Sequence, residues 1–313
     1  MNAISVVIPT RGRADLIGRS LRAVLANDHP SFDVLVVDQS DDDGTRLAVE
    51  AIGATDARVR YVHTLPPGLS RAYNVGTRLA SAPLLAFTDD DTVADPGWLS
   101  AIDRAFAADP DAQLLYGTVS LPAELVGAPG EVPILPIPRA ERLDRRSGFR
   151  IYGMGANFAM RRSLFDRLGG FDEVLGGGGP LRSSQDFDLQ YRAYLAGAVV
   201  LLRPEVRVDH YGLRTADQWP ATLRAYAIGD VSFYLKHIRC GDLTALRLFG
   251  RTVVRLLLRQ LLHVAGDRRT SQLPYLRAYV EGARASLRFA VDRRMRLYRA
   301  SRPSAAGTGR SLA

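Results

Sequence analysis

The chain is poor in reactive sulfur and amine groups: its 313 residues include one cysteine, Cys240, and one lysine, Lys236. A lone cysteine excludes an intrachain disulfide and a thiolate zinc cluster, and it fits a reducing compartment. No Gly-x-Gly-x-x-Gly fingerprint follows the first strand-like run, and there is no Gly-x-x-x-x-Gly-Lys-Ser/Thr loop. Dinucleotide binding on a glycine-rich turn and a P-loop ATPase are therefore disfavoured. No window reaches the ~18 uninterrupted apolar residues of a membrane span. Met1-Asn2-Ala3-Ile4 runs straight into a strand without the basic flank and apolar stretch of a signal peptide. The expected location is cytoplasmic, with attachment to the inner face of a membrane as an option.

What is present is an ordinary globular composition, 47% hydrophobic and 24% charged, which promises a packed core. The net charge of +8 is unevenly placed. Residues 239–313 carry 16 of the 41 basic and 4 of the 33 acidic side chains, leaving 25 basic and 29 acidic in residues 1–238. An acidic body with a basic appendage follows.

The body alternates strand-like and helix-like periods. Strands are predicted at 4–9, 32–38, 59–62, 84–88 and 114–119, with helices at 16–25, 45–52, 69–80 and 96–107 between them. That order implies βαβ units and a mostly parallel sheet, whose ligands bind outside the carboxyl ends of the strands. Thr10 and Arg11, Asp38, and the triplet Asp89-Asp90-Asp91 are delivered to that edge. Three adjacent carboxylates at the end of a buried strand are costly unless a cation shares the site. A hard divalent ion bound together with a nucleotide diphosphate is one occupant. A solvated Asp-rich turn capping the next helix is the other reading.

Residues 120–150 contain Pro122, Pro129, Pro133, Pro136 and Pro138 and read as an irregular connection or flap. A strand is predicted within 153–160 and a short helix at 162–168, closed by Gly169-Gly170. The tetraglycine 176–179 implies a slack loop or close approach to a ligand. Ser184 is the predicted N-cap of a helix that carries Asp186 and Asp188 in its first turn, where carboxylates also suit the helix dipole.

These pieces, in this order, resemble the family 2 glycosyltransferases, inverting enzymes of the GT-A fold. The matching stretches are Val6-Val7-Ile8-Pro9-Thr10-Arg11, Val36-Val37-Asp38, and Gly68-Leu69-Ser70-Arg71-Ala72-Tyr73-Asn74-Val75-Gly76. They continue with Phe87-Thr88-Asp89-Asp90-Asp91, Gly155-Ala156-Asn157 through Gly169-Gly170-Phe171-Asp172-Glu173, Gln185-Asp186-Phe187-Asp188-Leu189, and His210.

The resemblance implies a catalytic domain over 1–215, with a nucleotide half near 1–119 and an acceptor half near 150–215. It implies nucleotide-sugar contacts from Pro9, Thr10, Arg11, Asp38, Arg71, Asn74, Asp89, Asp90 and Asn157. Asp91, His210 and Asp89 would hold Mn²⁺ or Mg²⁺, and Asp186 would be the catalytic base. Gln185 departs from the family, where Glu is common. The implied reaction moves a sugar from a nucleotide diphosphate to a hydroxyl acceptor, a glycan, lipid-linked glycan or small glycoside. A sugar-phosphate nucleotidyltransferase competes but lacks its glycine-rich, lysine-assisted phosphate loop. A non-catalytic sugar- or membrane-binding protein is the reading from another class.

The appendage, 216–302, is expected to be helical. Arg247, Arg251, Arg255 and Arg259 fall at i+4 spacing among leucines, and a second basic amphipathic helix is predicted over 275–298. These helices either dock on the body with arginines in water or lie on an anionic membrane. Nucleic acid is the poorest partner, since no binding motif accompanies the charge. Residues 303–313 are expected to be disordered.

Overall fold

In β1 (Ile4–Thr10) every residue is buried, and its side chains alternate between two cores. Ile4, Val6 and Ile8 join one, while Val7 joins the other. A strand apolar on both faces must be central, with helices above and below. The structure, a computed structural model, describes residues 1–264 and 271–299 and has that layering. The predicted disordered tail at 303–313 lies outside the described residues.

The elements follow as α1 (Ala14–Leu25), β2 (Phe32–Asp38), α2 (Gly44–Gly53), β3 (Val59–His63), α3 (Leu69–Leu79), β4 (Leu84–Thr88) and β5 (Thr92–Ala94). Then come α4 (Trp98–Ala108), β6 (Ala112–Ser120), β7 (Glu141–Leu143), β8 (Asn157–Arg161), α5 (Arg162–Leu168), α6 (Gln185–Leu195) and β9 (Val199–His210). The carboxyl-terminal part is α7 (Trp219–Arg239), α8 (Leu243–Val264), α9 (Leu273–Ser286) and a hairpin of β10 (Ala290–Asp292) and β11 (Leu297–Arg299).

The main sheet has the order β3-β2-β1-β4-β8-β6-β9-β5, with β7 added on β9. Its first four strands are parallel, and β6 and β9 are parallel to each other. Strand β8 runs antiparallel to both β4 and β6. Helices α1, α2 and α4 cover one face, and α3, α5 and α6 the other.

Several elements differ from the sequence reading. Residues 120–150 are partly built into the sheet: Val119 bridges Leu135 and β7 pairs with β9. The tetraglycine is an ordered turn and not a slack loop. Gly177 accepts from the Leu69 amide at 2.8 Å, and a Cβ on Gly176, at φ +98°, would sit 2.9 Å from Ser70 Oγ. Ser184 occupies the N-cap of α6 at φ 69°, but its side chain makes no capping bond.

The helix predicted over 275–298 stops at Ser286. The Asp292 carboxylate accepts from the amides of Arg294 and Met295, both at 3.0 Å, a local turn that competes with the helix. The hairpin thus formed presents Tyr298, whose amide donates to buried Asp172 Oδ2 at 2.8 Å.

The appendage is docked through ions. Lys236 on α7 is fully buried, 2.6 Å from both Asp172 and Asp188. Asp188 also meets Arg192 at 2.8 Å and His237 at 2.9 Å. Asp188 is therefore the hub of a buried ion cluster, a role different from the helix-dipole placement expected for it. Its carboxyl is held far below the usual range by Lys236 and Arg192, against the desolvation that opposes ionisation. Gly282 of α9 packs directly on Ile228 of α7, where a Cβ would meet Ile228 Cα at 2.8 Å.

Candidate active site and metal centre

Strand β4 ends where the acidic triplet begins, and two threonines shape the turn. Thr88 and Thr92 hydroxyls lie 2.7 Å apart, while Ser20 and Thr92 donate to the Asp89 carbonyl at 2.9 and 2.8 Å. Strand β5 then pairs antiparallel with β9, setting Thr92 opposite His210. Pairing across the sheet thus brings a histidine more than a hundred residues downstream beside the triplet.

The result is one cluster. Single ligand atoms of Asp89, Asp91 and His210 all lie within 4.8 Å of one another, the one such group among the described residues. His210 Nε2 is 3.2 Å from Asp91 Oδ1. The other ring nitrogen, Nδ1, stands 2.7 Å from the Pro133 carbonyl. That carbonyl can only accept, so Nδ1 carries the proton and Nε2 faces the carboxylates, the outer-shell arrangement that orients a metal-binding imidazole. Two carboxylate oxygens and an imidazole nitrogen make a donor set that fits a divalent cation. The backbone roofs the cluster at Gly212, where a Cβ would meet His210 Nε2 at 2.6 Å and Asp91 Oδ2 at 2.8 Å.

A protein cation also sits here. Arg13 Nη1 is 2.8 Å from Asp90 Oδ1 and 2.6 Å from Asp91 Oδ2. Burial raises the carboxyl of Asp91, but His210 and Arg13 outweigh it and hold Asp91 down to about 2. Asp89 goes the other way, pushed up to about 7 by burial and then by the charge of Asp91. The two coupled carboxyls are thus shifted in opposite directions, Asp91 down and Asp89 up.

Asp186 opens α6 on the neighbouring wall. Gly155 N–H donates to its Oδ2 and Phe187 N–H to its Oδ1, each at 2.9 Å. Burial raises its carboxyl, against those two backbone donors. Tyr73 links the two walls: its hydroxyl is 3.1 Å from Asp89 Oδ1 and 3.4 Å from the Gly155 carbonyl. The Tyr73 ring is fixed against Phe171, Phe87 and Phe158, with centroids 4.9, 5.4 and 6.1 Å away. Each such aromatic contact is worth roughly 0.5–1.5 kcal/mol beyond burial.

Residues 5–169 match the model of glycosyl transferase family 2, more than half of the chain. The chain belongs to that family. A validoxylamine A glucosyltransferase of Streptomyces hygroscopicus is 31% identical over 224 residues, covering 62% of this chain and 52% of the relative. A glucosyl-dolichyl phosphate glucuronosyltransferase of Haloferax volcanii is 25% identical over 227 residues, 69% of this chain and 72% of that one. The chain spans about half the length of the first of these relatives.

Among solved structures, a mannosyltransferase from Pyrobaculum calidifontis in complex with GDP-Man and Mn²⁺ aligns with a TM-score of 0.59 at 19% identity. It covers 91% of this chain and 86% of its own. Residues 1–349 of S. aureus TarS in complex with UDP align with a TM-score of 0.55 at 19% identity, covering 73% of this chain and 65% of that one. At such identities the likeness concerns the fold, which is the GT-A fold expected from the sequence.

Within this family 2 member the expected nucleotide residues divide. Pro9 and Thr10 end β1 beside the triplet, and Arg11 is exposed, with its nearest partner Asp41 at 3.4 Å. Arg71 meets Glu173 at 2.9 Å. Asn74 is buried and spent inside the fold, donating to the Phe171 carbonyl and Glu173 and accepting from Phe171 N–H.

Asn157, expected as a nucleotide contact, has a structural position in the fold. It is wholly buried, accepting from the Trp98 indole at 2.9 Å and donating to the carbonyls of Thr118 and Val206. It ties β8 to α4, β6 and β9 and has no donor left for a ligand. Asp38 is also fully buried, accepting from Ser40 and from the Tyr61 hydroxyl at 2.8 Å.

No role was expected from sequence for Arg13, Tyr73 or Pro133: Tyr73 lies within one of the matching stretches and Pro133 within the proline-rich connection, but neither was singled out.

Proposed function

We propose that this protein is a divalent-cation-dependent inverting glycosyltransferase that moves a sugar from a nucleotide diphosphate to a hydroxyl acceptor, with Asp186 as general base. The observation that carries the reading is the cluster of Asp89, Asp91 and His210 joined to Asp186 through Tyr73 and Gly155. The family match ends at residue 169, so the roles of Asp186 and His210 rest on this geometry.

Asp89, Asp91 and His210 would hold Mn²⁺ or Mg²⁺. When bound, the ion supplies positive charge for the departing diphosphate. The chain's own residues do the rest. Arg13 adds a second positive charge beside Asp90 and Asp91. Pro133 fixes the imidazole tautomer. Asp186 is oriented by one backbone N–H on each oxygen, so a lone pair remains for the proton of an incoming hydroxyl. Burial raises its basicity above that of a solvated carboxylate, which improves proton acceptance near neutral pH. Gln185, next to it, brings no competing charge.

The reading is tested by incubating the protein with a panel of sugar nucleotides and Mn²⁺. Release of nucleoside diphosphate, abolished by chelation, is expected. Pyrophosphate release would instead indicate nucleotidyl transfer, and no release with any donor would indicate a binding protein.

A further inference from the structure

Helix α8 is 22 residues long and contains no Asp or Glu. At 1.5 Å per residue it extends about 33 Å. One face is accounted for: Ala245 and Leu256 are buried, and Phe249 and Val253 pack with them against α7 and α9. The opposite face is apolar and bare. Val254, Leu257, Leu258 and Leu261 are 55, 47, 55 and 65% exposed. Alongside them runs the rail of Arg247, Arg251, Arg255 and Arg259, each exposed and none ion-paired among the described residues.

This combination selects its partner. Four arginines without ionic partners among the described residues favour an anionic surface, which a second copy of the same face cannot provide, since symmetric pairing would set the rails against each other. Bare leucines require a medium that accepts hydrocarbon, which a nucleic-acid backbone does not. Among the described residues no helix is long and apolar enough to cross a membrane. A helix with this pattern lies in the interfacial plane, its leucines ~5–10 Å into the headgroup boundary and its arginines at the phosphates.

We propose that the exposed face of α8 is a membrane-contact surface, seated in the headgroup region of an anionic lipid leaflet. This rests on α8 alone and stands whether or not the transfer reaction does.

The test is cosedimentation of the full chain with vesicles of phosphatidylcholine, or of phosphatidylcholine mixed equally with phosphatidylglycerol. Two variants accompany it, Arg251→Gln/Arg255→Gln and Leu257→Gln/Leu261→Gln. All four positions are exposed, so circular dichroism and the melting temperature should be unchanged. Binding is expected on the anionic vesicles only and should weaken as salt is raised. The double arginine variant should bind roughly 30-fold more weakly, about fivefold per arginine, and the double leucine variant at least ~10-fold more weakly. Equal binding to neutral vesicles, no binding, or unchanged binding by both variants would overturn the proposal. So would a concentration-dependent dimer in light scattering that the leucine variant dissolves, because a second copy would then own the face.

Discussion

Tyr73 Oη stands 3.1 Å from Asp89 Oδ1 while also reaching the Gly155 carbonyl at 3.4 Å. One buried hydroxyl thereby braces the acidic triplet against the loop that orients Asp186. Tyr73→Phe keeps the ring and its aromatic neighbours but strands Asp89 without that donor. Loss of an outer-shell partner of this kind costs about 10–100-fold in metal affinity, and the lost hydrogen bond about 1–2 kcal/mol of stability. Mn²⁺ titration followed by electron paramagnetic resonance, with urea unfolding in parallel, checks both. Unchanged Mn²⁺ affinity would remove Tyr73 from the site.

The cation site predicts a pairwise pattern. Asp91→Asn and His210→Ala should each abolish thermal stabilisation by Mn²⁺ together with nucleoside diphosphate, because a ligand raises the melting temperature only when it binds the folded form. Asp43→Asn, on the exposed turn before α2, should leave it intact. Stabilisation that survives both cluster variants would mean that the ion binds elsewhere.

Lys236→Met leaves two buried carboxylates short of a partner. Breaking a buried pair from one side costs roughly 3–5 kcal/mol; here Arg192 still supports Asp188 and Tyr298 N–H still supports Asp172, so about 3 kcal/mol is expected. Urea unfolding measures it. A loss below about 0.5 kcal/mol would show that the ion cluster is not what holds α7 to the body.

His237 is pushed down to about 4 by burial, with the Asp188 contacts opposing and the charges of Lys236 and Arg296 adding to the fall. The unfolded chain takes up a proton on this ring near pH 6.5, whereas the folded protein does not until about pH 4. Stability conferred by this residue is therefore lost as pH falls through that window, by about 3 kcal/mol at its lower end. His237→Gln removes the dependence, so the difference in stability between wild type and variant, followed from pH 7 to pH 4, isolates it. A flat difference would contradict the buried neutral ring.

The legibility of the chain follows from how local each signal is. Strand β4 and its triplet were readable because an apolar run ending in carboxylates is a contiguous pattern. The helix Arg162–Leu168 and its glycine stop were readable because capping is local. His210 was not readable from its own neighbourhood, since a lone histidine has no period; only its place in an ordered set of motifs marked it. The Lys236, Asp172, Asp188 and His237 cluster joins elements up to 64 residues apart, so nothing in either neighbourhood announced it. Tyr73 has no expected role from its own helix, because its hydroxyl partners, Asp89 and Gly155, lie in a turn after β4 and a loop before β8. The helix predicted over 275–298 failed because amphipathic period cannot register one aspartate folding the chain back.

Donor binding and turnover measured on the same Asp186→Asn preparation test the central claim most directly. The amide keeps the size of the side chain and removes its capacity to take a proton. The account predicts donor affinity within about twofold of wild type by calorimetry and turnover reduced by about 10²–10⁴. Turnover near the wild-type rate with donor binding intact would contradict it.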